Sequence, residues 1–206
     1  MKSKQTISRF TDQDFNVEAI NSNYQGFFRI DEYRLRHKLF NGEQSPLITR
    51  EIFERGDAVV LMVFDRQAKH LLLIQQFRPG AIRTQDDPWM LEFIAGMFAP
   101  NEQPIEVAIR EAKEEANIDI DVADCEYVME FLPSPGGCSE KLYLYVAYVD
   151  LSDYQAGQVH GLDNEHEDIK SYKVSLTQAL RLLEQGKVNN ASTIIGLQWL
   201  ALHYKD

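Results

Sequence analysis

Cysteine is scarce in this sequence: Cys125 and Cys138 are the only two in 206 residues. Two thiols do not make a secreted disulfide framework, so both are read as free in a reducing compartment. Long apolar runs are missing as well. The longest, Ala58 to Phe64, is about seven residues, far short of the roughly 20 that span a bilayer. The opening residues MKSKQTISRFTDQDF hold no apolar h-region, so no signal peptide is expected. These absences predict a cytoplasmic protein with no membrane partner. Positive charge is in deficit too, with 21 Lys and Arg against 32 Asp and Glu and a net charge of −11. A nucleic-acid polymer needs a positive face that displaces counterions, so it is excluded as a partner. A small anion remains possible where a few arginines and a metal share one cleft.

What is present is an ordinary globular mixture without repeats or low-complexity tracts, 44% hydrophobic and 26% charged. Residues 1–55 read as an N-terminal β unit. Gly26 to Ile30 opens a strand-like stretch that continues through Tyr33, Leu35 and Leu39. Asn41-Gly42 signals a hairpin, Pro46 interrupts, and Ile48 to Phe53 forms another strand. So thin a unit has to pack on something else. Residues 56–206 form the main domain. Ala58 to Phe64, His70 to Phe77 and Trp89 to Ile94 read as strands, followed by a helix from Pro104 to Ala116. Its expected apolar stripe is Ile105, Ala108, Ile109, Ala112 and Ala116, with Asn117 ending it in the left-handed conformation. Strands over Cys125 to Phe131, Leu142 to Val149 and Ile169 to Val174 follow. A helix capped by Ser175 and Gln178 comes next, then a last helix, Ala191 to Tyr204, amphipathic through Ile194, Ile195, Leu197, Leu200 and Leu202. The fold class is therefore α/β (α+β), with helices packed on a mixed sheet.

The chemistry sits on the Pro104–Ala116 helix. Glu111, Glu114 and Glu115 are spaced i, i+3 and i+4 and project from one face, expected to lie opposite the apolar stripe. Glutamate is a good helix former, and such runs are usually solvated faces. Here the like charges repel, and a hard cation such as Mg²⁺ supplies the reason to collect them. The upstream frame decides between the two: Gly96, Glu102, Arg110, Glu111, Glu114, Glu115 and Ile118 stand at fixed spacing. Leaving out Ile118, where any bulky aliphatic residue serves, six exact matches have a chance probability on the order of 10⁻⁷ per start position.

This pattern resembles the Nudix box, Gly-x5-Glu-x7-Arg-Glu-U-x-Glu-Glu-x-Gly-U with U a bulky aliphatic residue; Ala112 and Asn117 depart from it. From about residue 15 onward the chain resembles the bacterial ADP-ribose pyrophosphatase family. The resemblance is carried by Gly26-Phe27-Phe28, Leu39 to Gly42, Arg50 to Gly56, Ser134 to Gly137, His160 to Leu162, Glu165 to Ile169 and Asn189 to His203. It implies a Nudix fold, a mixed β-sheet sandwiched between helices, and a homodimer whose N-terminal antiparallel β units are exchanged.

It also implies a metal-dependent pyrophosphatase that uses Mg²⁺ to convert ADP-ribose to AMP and ribose 5-phosphate; substitution by Mn²⁺ stays open. Glu111, Glu115 and the Ala95 carbonyl are the implied metal ligands, followed by Glu167 and the weaker candidate Glu114. Arg110 orients the glutamates by pairing with Glu102 or Glu114. Glu165 is the implied general base. The implied substrate residues are Phe27 and Phe28 on the adenine, Arg50, Glu51 and Arg55 along the nucleotide, and Arg78, Met97, Ser134, Gly136 and Glu140. Several have a blander reading: Phe27 and Phe28 as core, Arg50 and Arg78 as surface charges, Ser134 to Gly137 as a tight turn, and Asp163 to Asp168 as a solvated loop. His160, His166 and Cys138 receive no chemical role. Two rival functions stay open: hydrolysis of another nucleoside diphosphate sugar such as GDP-mannose, and a non-catalytic module that senses a nucleotide.

Overall fold

A computed structural model describes residues 7–84 and 87–204. Residues 1–6, part of the segment searched above for an h-region, lie outside it. The chain divides into two compact units, residues 1–55 with 134–139, and residues 56–133 with 140–206.

The first unit is a three-stranded antiparallel sheet, β1 (Phe15–Gln25), β2 (Arg29–His37) and β3 (Ile48–Glu54), in that order. The sequence reading gave β1 no strand. It is the longest strand of all, yet every residue but one is exposed, so no buried face imposes an alternation. The Asn41-Gly42 turn lies within the longer β2–β3 connection, where only Gly42 takes a positive φ. The segment 134–139 docks on β3: Phe53 N–H donates to the Gly137 carbonyl at 2.8 Å, and Ser139 N–H donates to that of Phe53 at 3.2 Å.

The second unit is built on β4 (Ala58–Asp65), whose residues are all buried. Its neighbours are β5 (His70–Phe77), antiparallel, and β9 (Leu142–Tyr148), parallel. The sheet runs β10 (Val159–His160), β11 (Ile169–Ser175), β5, β4, β9 and β8 (Cys125–Phe131), with β6 (Trp89–Glu92) on β5 and β7 (Ile94–Met97) on β4. One apolar layer sets Val59, Leu61 and Val63 against Val107, Ala108, Ala112 and Ala116 of α1 (Pro104–Ala116). The other sets Val60, Met62 and Phe64 against Leu176 and Ala179 of α2 (Leu176–Glu184) and Leu197 and Leu200 of α3 (Ala191–His203). A sheet covered on both faces is why β4 reads as a continuous apolar run. No helix among the described residues is long and apolar enough to cross a membrane.

Three expectations need correction. Trp89 to Ile94 is not one strand, since pairing passes from β5 to β4 at Phe93. Leu202 is exposed, and α3 buries Thr193 and Gly196 beside Leu197 and Leu200. Ser175 caps α2 by accepting from Gln178 N–H, without the reciprocal half of a capping box.

Candidate functional site

Helix α1 starts on Pro104 and ends where Asn117 adopts φ 48°, its N–H returning to the Lys113 carbonyl. This fixes the rotation of the glutamates. Glu115 is not on a solvated face: it is 2% exposed, beside Ala112 and Ala116. Its Oε2 accepts from Ala95 N–H at 3.1 Å, which ties the helix to β7. Position 96 is next along that strand. A Cβ there would overlap the Glu111 carboxylate, so only glycine lets β7 pass it.

Arg110 bridges Glu111 at 2.9 Å and Glu114 at 2.8 Å. The expected pairing with Glu114 is present, and the partner found besides it is Glu111, while Glu102 instead accepts from Ala99 N–H at 2.8 Å. Burial, with the charges of Glu114, Glu167 and Glu165 added, pushes the Glu111 carboxyl up to about 7 against the pull of Arg110. Burial and the Glu111 charge likewise hold Glu115 well above the usual carboxylate range, opposed by the Ala95 N–H and Arg78. Crowded, half-desolvated carboxylates of this kind are stabilised by a cation.

The loop 161–168 carries Glu165 and Glu167. It is held to α1 where Gly161 N–H donates to the Glu114 carbonyl at 3.1 Å. Glu167 folds back, its Oε2 accepting from Leu162 N–H at 3.2 Å. Glu165 is exposed at the end of a short 3-10 turn, Asp163–Glu165, and reaches Glu111 through charge alone.

The donors gathered here are all hard oxygens, the chemistry Mg²⁺ prefers. Among the described residues no three Asp, Glu, His or Cys side chains form a ready cage. Mg²⁺ commonly takes one or two carboxylates and completes its shell with water and phosphate. Glu111, Glu115 and the neighbouring Ala95 carbonyl fit that pattern.

Arg78 follows β5, and its Nε donates to Glu92 Oε2 at 2.7 Å. Glu92 escaped the sequence reading, although a carboxylate inside the apolar run Trp-Met-Leu-Glu-Phe-Ile-Ala-Gly was a signal worth following. Met97 ends β7 partly exposed, and Glu140 is buried just ahead of β9.

The remaining sequence candidates belong to the first unit. Phe27 and Phe28 occupy the β1–β2 turn with ring centroids 4.7 Å apart. Phe28 packs edge-on against Phe53 and lies under the Arg55 guanidinium, whereas Phe27 is 89% exposed. Arg50 and Glu51 are exposed on β3, and Ser134 and Gly136 are exposed in the docked segment.

Residues 54–195 match the NUDIX domain family. The chain is 45% identical over 196 residues to an ADP-ribose pyrophosphatase of Escherichia coli (strain K12), covering 95% of this chain and 92% of that one. It is 38% identical over 206 residues to an ADP-ribose pyrophosphatase of Haemophilus influenzae, covering 98% and 93%. A GDP-mannose pyrophosphatase of Cronobacter sakazakii is 33% identical over 155 residues, covering 74% and 78%. A crystal structure of an ADP compounds hydrolase shares the fold, with TM-score 0.64 at 18% identity over 96% of this chain and 100% of that one.

Proposed function

The chain belongs to the Nudix family, and on that premise we propose that it is an Mg²⁺-dependent pyrophosphatase converting ADP-ribose to AMP and ribose 5-phosphate. The observation that carries this reading is the carboxylate cluster, with Glu115 buried and Glu111 half-buried and crowded against β7 at Gly96. The pyrophosphatases of E. coli and H. influenzae, matched over nearly the whole chain, support the substrate.

In this reading Glu111, Glu115 and the Ala95 carbonyl hold the cation, with Glu167 and then Glu114 as further ligands. When bound, the cation offsets diphosphate charge and acidifies water. Arg110 fixes the orientation of Glu111 and Glu114. Glu165 takes the proton of the attacking water; the new P–O bond forms at one phosphorus as the bridging P–O bond breaks. Arg78 holds phosphate or ribose oxygens, and Met97 and Glu140 line the same site. Phe27 stacks on the adenine with Phe28 behind it, and Arg50, Glu51, Arg55, Ser134 and Gly136 contact the nucleotide. We further propose a homodimer that exchanges the β units of residues 1–55. The apolar residues Phe15, Val17, Ile20 and Tyr24, exposed along β1, support it. The two free cysteines support a cytoplasmic location.

The test is hydrolysis of ADP-ribose, GDP-mannose, UDP-glucose and NADH with Mg²⁺ and with EDTA. Preference for ADP-ribose with Mg²⁺, and loss of that hydrolysis with EDTA, is the expected result. Preference for GDP-mannose would keep the carboxylate site and discard the nucleotide pocket. Hydrolysis of nothing would leave a nucleotide sensor.

A further inference from the structure

We infer that Glu92, held rigid by the first turn of α3, is a positioning residue that aims the Arg78 guanidinium at the diphosphate; the inference rests on the activity proposed above. Glu92 engages Arg78 through Nε, the nitrogen nearest the side-chain stem. A bond there sets the guanidinium plane. Both terminal nitrogens remain without a hydrogen bond among the described residues, and the side chain is 42% exposed. That pair is the fork which meets two oxygens of a phosphate at once. Arg78 also lies within electrostatic reach of Glu115, so the fork and the carboxylate cluster serve the same region.

The backbone on either side of Glu92 is clasped by α3. Asn190 caps that helix by accepting from Thr193 N–H at 3.0 Å, and its own amide donates to the Leu91 carbonyl at 2.7 Å. Thr193, fully buried, accepts from Phe93 N–H at 3.2 Å. Phe93 is where the strand changes partners, and the threonine hydroxyl occupies an N–H that the β-ladder leaves open. Gly196 brings α3 so close that a Cβ there would meet the Phe93 ring at 2.6 Å. On the other side, β6 pairs with β5, and Arg78 N–H donates to the Pro88 carbonyl at 2.9 Å. Glu92 and Arg78 thus stand on neighbouring, doubly fixed backbones. The chain segment Asn190–Thr193, remote in sequence from the carboxylate helix, acquires a role in the site.

A double-mutant cycle on the full-length protein tests this, using Glu92→Ala, Glu92→Gln, Arg78→Ala and the Arg78→Ala/Glu92→Ala pair. Three quantities are read: steady-state hydrolysis of ADP-ribose with Mg²⁺, calorimetric binding of ADP-ribose in EDTA, and Tm. Glu92→Ala should raise KM about tenfold and leave kcat within about twofold. Glu92→Gln, which keeps an acceptor oxygen, should recover most of that loss. With Arg78 already alanine, removing Glu92 should change KM by less than about twofold. An undiminished Glu92 effect in the Arg78→Ala background overturns the inference. So does a lower KM in Glu92→Ala, which would make Glu92 a competitor of the diphosphate. If the wild type binds ADP-ribose without hydrolysing it, the proposed activity fails and the calorimetric cycle decides the role of Glu92. Neither binding nor hydrolysis overturns both.

Discussion

The Glu111 carboxylate fills the space that a side chain at Gly96 would need: the Cβ of any other residue at position 96 would intrude on it. The glycine is required by close approach, since its φ lies outside the left-handed region. Gly96→Ala should therefore push the carboxylate aside while the chain still folds. A displacement on the order of 1 Å lowers turnover by about a hundredfold. Steady-state kinetics beside a melting curve would show it; unchanged kcat would mean that Glu111 has another productive position.

Glu111→Gln and Glu115→Gln should each reduce hydrolysis by at least about a hundredfold. Metal-free stability should not fall in step, because Glu115 is 2% exposed and its charge is unfavourable there. The rise in Tm produced by Mg²⁺ in the wild type should shrink in both variants. Melting in EDTA and in Mg²⁺ separates these effects.

Phe27 and Phe28 should respond differently. Phe27 is 89% exposed and carries little of the sheet's packing. Phe27→Ala should raise KM for ADP-ribose about tenfold with kcat within about twofold. Phe28→Ala should lower Tm, because that ring packs against Phe53 and Arg55. Equal effects on Tm would remove the case for Phe27 as the stacking face.

Acid should act through Asp65. Burial alone would raise its pKa, but the N–H groups of Ala68, Leu151 and Gln67 outweigh that and hold it below the usual aspartate value. A depressed folded pKa contributes stability that is present above the unfolded value and lost as pH falls through the folded one. Wild-type stability should thus decline from about pH 4 downward. Asp65→Asn sets an amide against Leu151 N–H and should cost about 1–3 kcal/mol at neutral pH. Its stability curve should also be flatter on the acid side. Urea melts from pH 7 to pH 3 would check both.

Asn190→Ala and Thr193→Val should each cost about 1–3 kcal/mol, the first through a lost cap and a stranded Leu91 carbonyl, the second through an unpaired Phe93 N–H. Since both clasp the same short stretch, Leu91 to Phe93, their combined cost should fall short of the sum. Equilibrium unfolding of the single and double variants measures it.

Helix α1 was legible because its signals are local: Pro104 opens it, Asn117 closes it, and the glutamate spacing lies within its own turns. The burial of Glu115 was not, because it depends on β7, a partner that helical periodicity does not contain. Strand β1 was invisible since neither of its faces is buried. The break at Phe93 depends on Thr193, a hundred residues away. Glu92 was overlooked for a related reason: its meaning comes from Arg78 across the sheet. The fold and the carboxylates were thus readable from short-range pattern, while the groups that orient them came only with long-range contacts.

The loop 161–168 is tied to itself. The Leu162 carbonyl accepts from both Glu165 and Glu167, Leu162 N–H returns to the Glu167 side chain, and left-handed residues stand at Gly161 and His166. Ordering a slack loop of this length would cost about 1–2 kcal/mol for each residue fixed. A segment already knotted has met that entropy loss during folding. Glu165 is therefore carried on one stiff turn, fastened at both ends, and not on a slack segment.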